Sequence, residues 1–184
     1  MNLDLFIIND FYANPDNVRA YALSQPFDVT GNYPGSRTKP YLPDDVKDAI
    51  QYWMNFAGKV TDWFENTGYT GAFQIATAQD RTWIHSDHHN MWAGVCYLTP
   101  DAPHTGGTAL YRHKATGLHR RNGDKEVGDG YDYTKWDKFD VVGNKYNRLV
   151  IYRADLFHAS IDYFGDNLHN GRLFQTFFFN TERL

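Results

Sequence analysis

The stretch AFQIATAQDRTWIHSDHHNMWAGVCYL, residues 72–98, decides the fold class. Its first part places Phe73, Ile75 and Thr77 in alternation with Gln74, Ala76 and Ala78, the period of two that sends successive side chains to opposite faces of a strand. Residues 91–98 form a second such run, and 108–112, 149–153 and 172–180 are further strand candidates rich in β-branched and aromatic residues. Thirteen Tyr and thirteen Phe pull the same way. Strands therefore dominate the last two thirds of the chain.

Working back toward the N-terminus, the pattern changes. Leu5-Phe6-Ile7-Ile8 reads as a short buried strand closed by Asn9-Asp10. A helix is expected next, with Asn14 as its cap, Pro15 at the first helical position, and Asp16 where the helix dipole favours negative charge. Val18, Tyr21 and Ala22 share a face of it. Residues 31–43 hold Gly31, Pro34, Gly35, Pro40 and Pro43, too many breakers for a regular element, and read as a long loop. Val46, Ile50, Trp53, Ala57, Val60 and Phe64 then step by four and three, which predicts one helix of about five turns ended by Asn66-Thr67-Gly68. Two helices followed by many short strands indicate a mainly β fold with N-terminal α-helices, an antiparallel sandwich or jelly roll whose helices back one sheet.

The expected organisation is a single domain over 1–184, with 1–70 as helical support and 71–184 as the jelly-roll core. A chain of 184 residues is long enough to bury roughly 70% of its unfolded surface. Residues 113–146 interrupt the strands with Lys, Arg, Asp and Gly, including Arg120-Arg121, Asp124-Lys125-Glu126 and Tyr131-Asp132-Tyr133. They read as an insertion loop, either solvated or serving as a lid or recognition loop.

Composition narrows the partners. An apolar share of 42% and an aromatic share of 17% suit a packed globule. A formal charge of −4 and a pI near 6.0 give no general basic surface, so nucleic acid is disfavoured as a partner. The single cysteine, Cys96, cannot form an internal disulfide and sits among apolar neighbours, which predicts a buried, inert thiol. Met1-Asn2-Leu3-Asp4 lacks a positive n-region, and the apolar run behind it is too short for an export signal or membrane span, so a cytoplasmic location is expected.

His85-Ser86-Asp87 carries the chemistry. On a strand, residues two apart point to one side, so both side chains can reach one metal ion. Two histidines and a carboxylate on one face of an octahedron leave three positions open, the arrangement of non-haem Fe(II) oxygenases. Eight histidines and nineteen aspartates in this chain make about 0.8 His-x-Asp triplets at random. The triplet alone is therefore nearly uninformative, and its context decides. That context is the strand ending in Tyr97-Leu98, the Gly106-Gly107 turn into the next strand, the distal His158, and Arg172 opening the last strand.

In this order of motifs, over about residues 72–180, the chain resembles the Fe(II)/2-oxoglutarate-dependent dioxygenases, specifically their prolyl-hydroxylase-like branch. Asp10-Phe11-Tyr12 to Arg19 and Tyr33-Pro34-Gly35 also resemble uncharacterised phage or bacterial members of that superfamily. The resemblance implies a double-stranded β-helix with Fe(II) held by His85, Asp87 and His158. It makes Arg172 the partner of the distal carboxylate of 2-oxoglutarate and Tyr97 its helper, with O2 taking the remaining iron position. It implies oxidative decarboxylation to succinate and CO2, coupled to hydroxylation of a C–H bond in a small molecule or a peptide or protein residue. Two departures stand out: Arg172 lies fourteen residues after His158, a longer interval than usual, and Phe174 stands where many members have serine.

Two alternatives use the same fold: a cupin-like metal-dependent hydrolase or isomerase, and a non-catalytic jelly-roll binding module. The first leaves Arg172 without a role, and the second leaves the metal triad without one. His88 and His89 are weaker metal candidates, because position 86 is Ser where a helical His-Glu-x-x-His zinc site needs Glu. His104, His113, His119 and His169 are expected to be solvated. Trp83 and Trp92 read equally as pocket walls or as core.

Overall fold

Every period-two segment forms a strand, and the strands assemble into two antiparallel sheets. The computed structural model describes residues 4–123 and 127–182; Met1-Asn2-Leu3 and Asp124-Lys125-Glu126, read above, lie outside the described residues. Among the described residues the elements are β1 (Leu5–Ile8), α1 (Pro15–Ser24), β2 (Ser36–Pro40), α2 (Asp44–Met54), β3 (Val60–Asp62), β4 (Ala72–Ala76), β5 (Trp92–Tyr97), β6 (Thr108–His113), β7 (Trp136–Val142), β8 (Leu149–Arg153), β9 (His158–Ser160) and β10 (Arg172–Thr181). The larger sheet runs β1-β8-β5-β10-β4-β2, with β3 pairing the far end of β10. The smaller runs β7-β6-β9. This is a jelly roll backed by helices.

Alternation along β10 divides the interior. Leu173, Phe177 and Phe179 point to the helical side, where they share a core with Ala22 of α1 and with Val46, Ile50 and Met54 of α2. Burying side chains of this kind contributes about 1.5–3 kcal/mol each. On the other face Phe174 joins Val95, Tyr97, Val150 and Tyr152 of the large sheet and Leu110 and Val142 of the small one, so this second core lies between the sheets. Cys96 is fully buried and its thiol is pushed up by burial, which leaves it inert.

Four expectations are corrected. The helix expected through Phe64 stops at Met54, and Trp53 is 40% exposed while Met54 takes its place in the buried stripe. Gly58, at φ +116°, turns the chain, and Val60 leaves the helical path to pair with Thr181. The Gln51 side chain secures the turn, accepting from the Val60 N–H at 2.7 Å. Residues 31–43 are not wholly loop: Ser36–Pro40 is an edge strand, the place where proline is tolerated because it need not donate to a ladder. The first 70 residues thus supply β1, β2 and β3 as well as helices. Residues 113–146 contain β7, whose polar, exposed positions hid it because it lies at a sheet edge. A smaller correction concerns Asn14, which precedes α1 without a side-chain cap bond.

Gly58 gives a test of this turn. An added Cβ would lie 1.8 Å from the Glu182 carbonyl oxygen, whereas at Gly68, also at positive φ, nothing lies within 4 Å. Gly68→Ala should therefore cost about 1 kcal/mol for backbone strain alone, and Gly58→Ala clearly more. Urea unfolding of the two variants checks this, and equal losses would contradict it.

Candidate metal centre

The side chains His85, Asp87 and His158 each offer a ligand atom, and these three atoms lie within 4.8 Å of one another. They meet because two backbone segments are stitched together. The His85 N–H donates to the His158 carbonyl at 3.0 Å, and the His158 N–H returns a bond to His85 at 2.8 Å. The Asp87 N–H then donates to Ala154 at 2.8 Å. The His-x-Asp triplet was expected on a strand; it instead makes a single bridge at His85, which adds one rung to the β9 edge of the small sheet. That rung still puts the two imidazoles 4.5 Å apart between ring centroids.

Hydrogen bonds at the rear of each ring set the tautomer. His85 Nδ1 lies 3.0 Å from the Trp83 carbonyl and His158 Nδ1 lies 2.8 Å from the Leu156 carbonyl. A carbonyl only accepts, so each Nδ1 carries a proton, which leaves Nε2 of the neutral ring as the metal-binding nitrogen, the arrangement that metal-bound histidines require. Burial, and then the neighbouring His85, lower the His158 pKa to about 4, so its imidazole is neutral at neutral pH. Asp87 Oδ2 lies 3.8 Å from His158 Nε2, is buried, and has no hydrogen-bond partner. A buried, unpartnered carboxylate oxygen beside two imidazole rings is unfavourable by itself and is satisfied by a cation. The donor set fits Fe(II).

A cavity of about 540 Å³ opens over these residues. Val95, Thr108, Tyr152, Phe174, Thr176 and Phe178 contribute to its wall from both sheets, and Trp83 lies against His85 with centroids 5.3 Å apart. Trp92 is instead core, its indole N–H donating to Thr181 Oγ1. His88 and His89 are exposed on the cavity rim and fall outside the three-residue donor cluster. His104, His119 and His169 are exposed as expected, but His113 is buried against Trp136 at 4.8 Å.

Arg172 and Tyr97 lie together, fully buried. The Arg172 Nε and Nη2 donate to the carbonyls of Gly106 and Gly107 at 2.9 and 3.2 Å, while Nη1 is buried without a partner. The guanidinium rests 4.3 Å from the Phe174 ring centroid and 5.3 Å from that of Tyr97. Tyr97 Oη pairs with Thr108 Oγ1 at 2.8 Å, and Thr108 borders the cavity. The pair thus stands one residue behind the cavity wall, with Phe174 as the screen. Gly107 has to be glycine here, since a Cβ would lie 2.0 Å from the Val142 carbonyl oxygen.

Sequence reasoning missed Arg37, which is 6% exposed and borders the same cavity, and also Tyr152, whose ring lies 4.6 Å from that of His158. No spacing rule marks Arg37. Only its place opposite Gln74 in the β2–β4 register reveals it.

The chain belongs to a family of unknown function, DUF6445, whose model matches residues 2–129 and so includes His85 and Asp87. No curated protein matches it. Among solved structures it is similar to HygX from Streptomyces hygroscopicus with nickel and 2-oxoglutarate bound, at 11% identity, 97% coverage of this chain, 83% of that chain and a TM-score of 0.59. HygX is also known with hygromycin B bound. AviO1 from Streptomyces viridochromogenes Tue57 is similar at 16% identity, 96% and 89% coverage and a TM-score of 0.56. A Trichoplax adhaerens prolyl hydroxylase in complex with a hypoxia inducible factor peptide fragment follows at 12% identity, 96% and 83% coverage and a TM-score of 0.50. These likenesses establish the fold. Among the described residues no helix is long and apolar enough to cross a membrane.

Two outcomes are expected of the metal-free protein. Asp87→Ala should abolish divalent-metal binding by calorimetry yet leave the protein about as stable, since it removes an unpartnered buried acceptor; destabilisation well above ~1 kcal/mol would contradict this. Because His158 is held neutral down to about pH 4, the unfolded chain binds the extra proton between that pH and the ordinary histidine value. Stability should then fall as pH drops from about 6.5 toward 4. His158→Gln should lose that portion of the pH dependence, and an identical melting profile would refute the assignment.

Proposed function

We propose that this protein is a non-haem Fe(II)- and 2-oxoglutarate-dependent oxygenase. The observation that carries the reading is a pair of unsatisfied buried groups in the interior between the sheets: Asp87 Oδ2 beside the His85 and His158 imidazoles, and Arg172 Nη1 beside Tyr97. The first fits a metal cation and the second fits a carboxylate. His85, Asp87 and His158 would hold Fe(II), and Arg172 with Tyr97 would hold the distal carboxylate of 2-oxoglutarate. When bound with O2, these groups supply oxidative decarboxylation to succinate and CO2 coupled to hydroxylation of a C–H bond.

The remaining work belongs to this chain. The Trp83 and Leu156 carbonyls fix the two rings so that neither must turn when the metal arrives. Gly106 and Gly107 clamp two arms of the Arg172 guanidinium and leave the third for a ligand oxygen, which reaches it from the cavity only when the Phe174 ring gives way. Tyr152, Phe174 and Phe178 line the space beside the triad with aromatic rings, which would limit water around a bound metal. HygX with hygromycin B and the prolyl hydroxylase with its peptide support either a small molecule or a peptide residue as substrate. A hydrolase or isomerase using the same triad would leave Arg172 Nη1 without a purpose.

The test is cosubstrate affinity. Arg172→Gln should weaken 2-oxoglutarate binding to the Mn(II)-loaded protein at least tenfold in calorimetry while Mn(II) affinity stays within about twofold. Unchanged 2-oxoglutarate affinity would sink the assignment of Arg172.

A further inference from the structure

The cavity wall carries a cationic group, Arg37, that the proposed metal and cosubstrate sites leave unused. Arg37 comes from β2, on the edge of the large sheet, and its side chain is more than nine-tenths buried. Its Nε donates to Gln74 Oε1 at 2.7 Å, and Gln74 is itself held by a bond from its Nε2 to the Pro34 carbonyl at 2.6 Å. The guanidinium carbon stands 3.8 Å above the Tyr33 ring centroid and 5.1 Å from that of Tyr69. Those two rings meet edge to face, at 5.9 Å and 88°. Three sides of the guanidinium are therefore fixed by protein. Its Nη1 is buried and has no hydrogen-bond partner.

The charges that line the cavity point the same way. Among the described residues that line this cavity, Arg37 is the one guanidinium and Asp87 the one carboxylate. A metal ion bound by Asp87 neutralises that carboxylate, and Arg37 is then left as an uncompensated cation in a low-polarity wall. Burial lowers its pKa to about 10, still far above neutral pH, so the charge persists. A buried arginine without an anionic partner is a costly arrangement unless a ligand supplies the partner.

Resting on the oxygenase reading, we infer that the primary substrate carries a carboxylate, and that Arg37 receives it between the Tyr33 and Tyr69 rings, apart from the cosubstrate carboxylate at Arg172. The shape favours a carboxylate. With Nε taken by Gln74, the end-on pair Nη1 and Nη2 remains, a planar fork that matches two coplanar oxygens, while Tyr33 covers a face of the guanidinium plane. Arg37 thus sets specificity: it anchors one end of the substrate, and the C–H bond to be oxidised lies elsewhere on the same molecule, toward His85, Asp87 and His158.

The test uses anaerobic protein loaded with Fe(II) and saturating 2-oxoglutarate, so that Arg172 is already engaged. It is titrated by calorimetry with benzoate, phenylacetate and N-acetylphenylalanine, with their neutral amides, and with phenyl phosphate. At least one carboxylate should bind at least tenfold more tightly than its amide. Arg37→Gln should remove that preference, Arg37→Lys should restore part of it, and 2-oxoglutarate affinity should stay within twofold in both variants. Circular dichroism confirms that each variant is folded. The inference is overturned if no carboxylate outbinds its amide, if Arg37→Gln weakens 2-oxoglutarate instead, or if phenyl phosphate binds tenfold more tightly than every carboxylate. Should the wild type fail to bind 2-oxoglutarate while its Fe(II) form still shows Arg37-dependent carboxylate binding, the oxygenase reading falls and the Arg37 site stands.

Discussion

Two reciprocal backbone hydrogen bonds between His85 and His158 are the constraint on which the rest depends. They join a connecting segment to the edge of the small sheet across a sequence separation of more than seventy residues. With that rung formed, the imidazoles meet at 4.5 Å, and Asp87 is swung in by its own bond to Ala154. The geometry is set by main chain, and the side chains inherit it. This is why the centre keeps its donors convergent although Asp87 Oδ2 is left unsatisfied: unfavourable local electrostatics are held in place by a ladder that does not depend on them.

The larger sheet supplies a different property. Alternation along β10 lets one strand serve the helical core through Leu173, Phe177 and Phe179, and the inner cavity through Phe174 and Phe178, with Arg172 at its start behind Phe174. A strand with two committed faces has a single register, because a slip by one residue would turn the buried arginine into the helices and the phenylalanines into the cavity. Fold and site are coupled through that register.

Much of this was legible in the sequence, and the misses have physical causes. The strands at 5–8, 92–97, 149–153 and 172–181 announce themselves by apolar runs or alternation, since each packs side chains into a core, although Ile7 in the first is half exposed. β7 does not, because at an exposed edge Lys138, Asp140 and their neighbours need not be apolar. The long helix failed because an apolar stripe with period 3.6 continued past Gly58 by accident, and a glycine at positive φ outweighs such a stripe. His85, Asp87 and His158 could be named from residue type and order, and they converge. Arg37 could not, because it lies among prolines and glycines, and its burial arises only from pairing with a strand more than thirty residues away.

The account rests on iron and 2-oxoglutarate meeting in this one interior, and optical spectroscopy addresses that directly. Metal-free protein given Fe(II) and 2-oxoglutarate without oxygen should develop the visible charge-transfer band of a metal-chelated keto acid, with neither component producing it alone and with Asp87→Ala silent. Folded wild-type protein that shows no band, or an equal band from Asp87→Ala, would contradict the account.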